Sequence, residues 1–141
     1  MERAWAELVR LPFSPEALRF SSVDYSPIAI SRVSRFADGF IAGGGQEAQR
    51  VASIYKSVED SWNTAGRKGR PRLVCAAYYA LGANAAERGG VYIRNYYGFL
   101  GSMVENTVRG ILSAPSAVRD AVKSYSEIGA DELVLWPCIP D

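Results

Sequence analysis

The chain has 141 residues, enough for one domain that buries about two thirds of the surface its unfolded form exposes. Its 16 basic and 15 acidic residues leave a formal net charge of +1, which weighs against long-range attraction of nucleic acid or of an anionic membrane. Histidine is absent, so histidine-dependent triads and zinc sites are excluded, and proton transfer falls to carboxylates, tyrosines, lysines, water or a cofactor.

No run approaches the roughly 18 apolar residues of a membrane span. Met1-Glu2-Arg3 opens a charged amphipathic segment unlike a signal peptide, so a cytoplasmic protein with no membrane partner is expected. Cys75, inside an apolar run, and Cys138, after Pro137, match no metal or redox spacing. They read as packing, and no metal site is expected.

Residues 2–11 place Ala4, Trp5, Leu8 and Val9 on one stripe, the pattern of an amphipathic helix halted by Pro12. Residues 17–23 form a strand diluted by Arg19, Ser21 and Ser22. Ser26 and Pro27 then open a helix carrying Ile30, Val33 and Ala37 that ends by Asp38. The strand at 39–42 empties into Gly43, Gly44 and Gly45, and Val51, Ile54, Val58, Trp62 and Ala65 mark a long helix capped by Gly66. Backbone amides without side chains, ahead of a helix, can hold a phosphate; glycines there can equally make a sharp turn.

Arg67, Lys68, Arg70 and Arg72 read as a solvated turn, with a phosphate contact as the alternative. The continuous apolar run at 73–79 predicts a central strand covered on both faces. Residues 83–112 are helical in character but interrupted at Gly89-Gly90, Gly98 and Gly101, so two or three helical pieces are expected. Tyr92, Tyr96, Tyr97 and Phe99 give them an aromatic face, which is either core packing or the wall of a site for a flat ligand. Pro115 opens a helix with Val118, Ala121, Val122, Tyr125 and Ile128 that leads into the strand Leu133, Val134, Leu135, Trp136, stopped by Pro137.

Two stretches share one grammar. In RFADGFIAGGG and in EIGADELVLWPCIPD a helix ends, Ala-Asp makes the connection, an apolar strand follows, and glycine or proline ends it. Four strands alternating with helices, joined by right-handed crossovers, are parallel. They can make a small open sheet or half of an eight-stranded barrel, which by itself usually needs about 250 residues.

Those two stretches, with RLVCAAYYALG between them, resemble in order and spacing the C-terminal half of the luciferase-like monooxygenases, flavin- or deazaflavin-dependent TIM-barrel oxidoreductases. The likeness runs from about residue 17 to residue 141. It implies an α/β fold, a half TIM barrel of about four parallel strands, which together with the amphipathic helix read over 1–11 makes a single domain over 1–141. It further implies FMN or coenzyme F420 across the strand C-termini, with Tyr25, Ser26, Gly43, Gly44 and Gln46 at the cofactor phosphate, and a small-molecule substrate. Tyr25 departs from the family pattern, bringing a ring where a glycine would let backbone approach the phosphate.

The family's catalytic side chains and cofactor platform come mostly from the N-terminal half, so no catalytic residue is assigned here. Activity would require a homodimer or a separate N-terminal half. The alternative from another class is a non-catalytic half barrel that serves as an assembly module through its open edges.

Overall fold

The computed structural model describes residues 20–22 and 25–138. The helix expected over 1–11, and part of the first expected strand, lie outside the described residues. The elements in order are β1 (Phe20–Ser22), α1 (Pro27–Phe36), β2 (Gly39–Ala42), α2 (Ala48–Thr64), β3 (Arg72–Tyr79) and α3 (Ala85–Tyr97). A 3₁₀ segment (Gly98–Met103), α4 (Val104–Arg109), α5 (Pro115–Glu127) and β4 (Glu132–Pro137) complete it.

All neighbouring strands are parallel, in the order β1-β2-β3-β4, with Phe20 opposite Gly39, Gly39 opposite Arg72 and Val74 opposite Glu132. That order decides between the two architectures left open by the sequence. A doubly wound sheet reverses its strand order at a switch point, which sends helices to both faces; a sheet that only advances, through right-handed crossovers, keeps them on one. Phe40, Ala42, Leu73, Cys75 and Ala77 accordingly form one core with Val33 of α1, Val51, Tyr55 and Val58 of α2 and Tyr125 of α5. The side chains between them in sequence, Ile41, Val74, Ala76, Tyr78, Val134 and Trp136, belong to the opposite face, which in a closed barrel would be the interior.

Local chemistry explains the element ends. Ser26 accepts a hydrogen bond from the Ala29 amide at 3.3 Å and Pro27 occupies the first turn, so α1 is capped as its sequence predicts. In α2 the buried residues Val51, Tyr55, Val58 and Trp62 recur every three or four positions. Each such side chain contributes about 1.5–3 kcal/mol when fully buried. Central β3 is buried from Leu73 through Tyr78, as expected for a strand covered on both faces.

The basic cluster lies on the surface, as the solvated-turn reading expected, with its arginines committed to partners. Arg67 lies 3.5 Å from the Trp62 ring centroid and donates to the carbonyls of Ser34 and Ala37; Arg70 pairs with Asp131, and Arg72 with Glu132. These pairs staple the N-terminal ends of the strands. The two Ala-Asp connections lie at that same end, where Asp131 Oδ2 accepts from the Leu73 amide at 2.8 Å and the Asp38 carbonyl accepts from the Arg72 amide at 3.2 Å.

One expected break does not occur. α3 runs unbroken through Gly89 and Gly90. A β-carbon on Gly89 would lie 3.0 Å from Ala80 Cβ and 3.2 Å from Cys138 Sγ, so this glycine lets the helix sit close on the ends of β3 and β4. An interruption does come at Gly101, whose φ of 59° and ψ of −134° kink the 3₁₀ segment from within.

Candidate functional site

β2 leaves the sheet through Gly43, Gly44 and Gly45, and the loop is packed on both sides. A β-carbon on Gly44 would come within 2.6 Å of the Tyr78 ring. Gly45 has a φ of +77°, and its main chain is so close to Gly110 that a β-carbon there would lie 2.8 Å from Gly45 Cα. The sharp-turn reading of these glycines is therefore correct for Gly45. It does not account for all the amides: Gly44 and Gly45 form a turn closed toward Gln46, and among the described residues the amides of Gly44 and Gly45 themselves donate to no backbone carbonyl.

The five residues expected at a phosphate are partly brought together. Tyr25 packs its ring against Phe40, with centroids 6.1 Å apart, and its hydroxyl accepts from the Gly43 amide at 3.2 Å. The ring thus fills the corner where a glycine was expected and uses one of the loop's donors. Ser26 is the adjoining helix cap. The Gln46 carbonyl accepts from the Tyr125 hydroxyl at 2.6 Å, which ties the loop to α5. Burial, with smaller contributions from Cys75 and Tyr25, pushes the Tyr125 phenol above its ordinary value, so it stays a donor at neutral pH.

The helix side of the loop borders a cavity of about 600 Å³ lined by Gln46, Arg109, Gly110, Asp120, Ser124 and Tyr125 among others. Arg109 is its cation, facing a lining that also holds the carboxylates of Glu47, Asp120 and Glu127, and the Arg109 guanidinium donates to Asn106. Nothing in the sequence pattern singles out this arginine, because only the approach of Gly110 to Gly45 brings α4 to the loop.

On the other side lies an aromatic cleft. Of the face expected from Tyr92, Tyr96, Tyr97 and Phe99, Tyr97 packs on a buried cluster that includes Tyr78 and Ile93, while Tyr96 is 65% exposed and Phe99 79% exposed. Tyr92, Tyr96 and Tyr97 line a cavity of about 380 Å³ with Tyr78, Trp136 and Pro137. Tyr78 and Trp136 are register partners on β3 and β4, with ring centroids 5.4 Å apart. Tyr78 also meets Tyr97 edge to face, and the two hydroxyls are 2.6 Å apart. Burial first, then the bond to Tyr97, raises the Tyr78 phenol far above its ordinary range.

The sequence reading missed Tyr78 and Trp136 because each sits inside an apolar strand. Their period-two spacing on the inward face was the available signal. Among the described residues no group of three or more histidine, cysteine, aspartate or glutamate side chains is placed to hold a metal, and no helix is long and apolar enough to cross a membrane.

No protein-family model matches the sequence, and no curated protein matches it. Solved structures do. The chain is similar to an F420-dependent secondary alcohol dehydrogenase in complex with an F420-acetone adduct, at a TM-score of 0.67 and 11% identity, over 91% of this chain and 45% of that one. It is similar to a coenzyme F420-dependent tetrahydromethanopterin reductase from Methanopyrus kandleri at a TM-score of 0.56 and 14% identity, over 86% and 46%. It is similar to EDTA monooxygenase from Chelativorans sp. BNC1 at a TM-score of 0.62 and 12% identity, over 92% and 42%. The chain therefore spans just under half the length of the enzymes it resembles. The half-barrel fold that the sequence motifs implied is confirmed, and identity this low carries the fold alone.

Proposed function

We infer that the chain is the C-terminal half of a luciferase-like barrel and works as part of a flavin- or F420-dependent oxidoreductase, completed by a second copy or by a separate N-terminal half. The observation that carries this reading is the contact between Gly44 and the Tyr78 ring. It joins a glycine loop with uncommitted amides to an aromatic cleft, at the C-terminal ends of parallel strands, where barrels of this kind place their chemistry. F420 is named for two of the similar structures.

The residues present fit a phosphate-bearing flat cofactor. Gly44 and Gly45 offer amides ahead of Gln46, Ser26 adds a hydroxyl at the neighbouring strand end, and Arg109 supplies one positive charge, set against Glu47, Asp120 and Glu127 in the same cavity. Tyr25 acts differently from the glycine of the family pattern: it fixes Gly43 and leaves the phosphate to the next residues of the loop. FMN or F420, when bound, supplies the redox chemistry. The chain's own part is to hold the phosphate, to keep water from the cleft with Tyr78 and Trp136, and to leave the cofactor platform to the other half.

The test is a fluorescence titration of the full chain with FMN, F420 and phosphate-free riboflavin, repeated on Gln46→Glu. The Gln46 contact to Tyr125 uses its backbone carbonyl, so this substitution changes the loop's charge without removing that tie. FMN or F420 is expected to bind near about 1–100 μM, more tightly than riboflavin, and to weaken at least about tenfold in the variant, or about 1.4 kcal/mol. Absence of saturable binding by either cofactor overturns the reading.

A further inference from the structure

We propose that the cleft between α3 and the ends of β3 and β4 is the substrate site, and that it takes a flat, uncharged ring bearing a carbonyl or similar acceptor, oriented by the Tyr78–Tyr97 hydroxyl pair. The inference rests on the oxidoreductase reading for the word substrate; the ligand chemistry comes from the cleft itself.

Three features define that chemistry. The walls are Tyr78, Tyr92, Tyr96, Tyr97 and Trp136, and among the described residues no acidic or basic side chain lines the cavity, so a charged ligand would lose its hydration without a partner there. A volume of about 380 Å³ lies toward the small end of ligand pockets and suits a compound of one or two rings. The rings already meet one another edge to face, with Tyr96 and Tyr97 at 4.7 Å and 81°, and Tyr78 and Tyr97 at 6.2 Å and 70°. A planar guest continues that packing with offset or edge contacts.

The hydroxyl pair supplies direction. Two phenols 2.6 Å apart hold two protons between them and use one in their mutual bond. The accepting phenol keeps its own proton for a third partner, and that partner in the cleft is an acceptor on the ligand. Burial of Tyr78 holds its own phenol protonated, hence able to donate, through the physiological range. Tyr97 is accordingly a positioning residue.

The experiment is calorimetric titration of the full chain with acetophenone as a neutral aromatic ketone and with benzoate as its charged counterpart, on the wild type, Tyr97→Phe and Trp136→Ala. Acetophenone is expected to bind at least about tenfold more tightly than benzoate. Tyr97→Phe, which keeps the ring, should weaken acetophenone roughly three- to tenfold, the loss of one neutral hydrogen bond, and shortening the wall in Trp136→Ala should weaken both ligands. Equal binding of the two ligands, or no binding of acetophenone, overturns the proposal, as does unchanged acetophenone binding in Tyr97→Phe. Competition between riboflavin and acetophenone assigns the cleft to the cofactor ring and overturns the substrate assignment while leaving the oxidoreductase reading intact. Failure of that reading is scored separately, by the FMN and F420 titrations.

Discussion

Gly110 and Gly98 are two glycines of the same strand-end region with opposite expectations. A β-carbon on Gly110 would meet Gly45 Cα at 2.8 Å and Gly45 O at 2.9 Å, and main chain cannot step aside as a side-chain tip can. Gly110→Ala is therefore expected to cost about 1–3 kcal/mol, read as a lower urea midpoint. An unchanged midpoint would mean that the glycine loop is free to move away from α4. Gly98 has φ −56° and ψ −25°, a conformation any residue adopts, and nothing lies within 4 Å of the position its β-carbon would take. Gly98→Ala should be neutral or raise stability by about 0.4–1 kcal/mol through the unfolded chain alone. Both positions were legible in the sequence as glycines, and neither could be told from the other there, because what differs is the neighbour.

The connection between α5 and β4 shows how one acidic residue serves an element. Burial by itself would raise the Asp131 carboxyl, but the Leu73 amide and the Arg70 guanidinium outweigh it and hold the group below its ordinary value. A depressed folded value stabilises the fold above the unfolded carboxylate pKa of about 4, and the benefit is lost as pH falls through the folded value. Thermal melts from pH 7 down to about pH 2 should show that loss, on the order of 1 kcal/mol once solvent screening is allowed for. In Asp131→Asn the acid-dependent component should shrink, and an unaltered pH profile would assign the dependence to other carboxylates. A second clasp binds the pieces around the strand ends: Arg94 donates to both oxygens of Glu105, at 2.7 and 2.9 Å, joining α3 to α4 across the Gly101 interruption. The repeated Ala-Asp grammar was visible in the sequence as a connection. That the aspartate also anchors a strand to its neighbour was not, since Leu73 is 58 residues away.

Across the whole molecule the sheet is unfinished among the described residues: β4 pairs with β3 and β1 with β2, and each has one ladder edge without a described partner. Trp136 at 41%, Tyr96 at 65%, Phe99 at 79% and Met103 at 66% exposure add apolar surface near the same end. Unpaired edges beside exposed apolar side chains drive association. Light scattering on the purified chain should therefore find a dimer or a larger assembly, or a monomer that forms a stoichiometric complex with an N-terminal barrel half. A monodisperse monomer indifferent to such a partner would count against the half-barrel enzyme.

Composition and periodicity determined the class of element at nearly every described position, because helix and strand are set by local spacing: Val51, Val58 and Trp62 for α2, the apolar run through β3, and Pro27 and Pro115 at the starts of α1 and α5. They also determined the absence of histidine chemistry. Tertiary structure decided what depends on contacts between distant residues. Strand order put α1, α2 and α5 on one face and left the other as an inner face. Gly89 became a close approach to Ala80 and Cys138 in place of a break, and Tyr25 became a partner of Gly43 in place of an open corner. Tyr78, Tyr97 and Trp136, drawn from β3, α3 and β4, became one cleft, because three segments remote in sequence end at the same rim of the sheet.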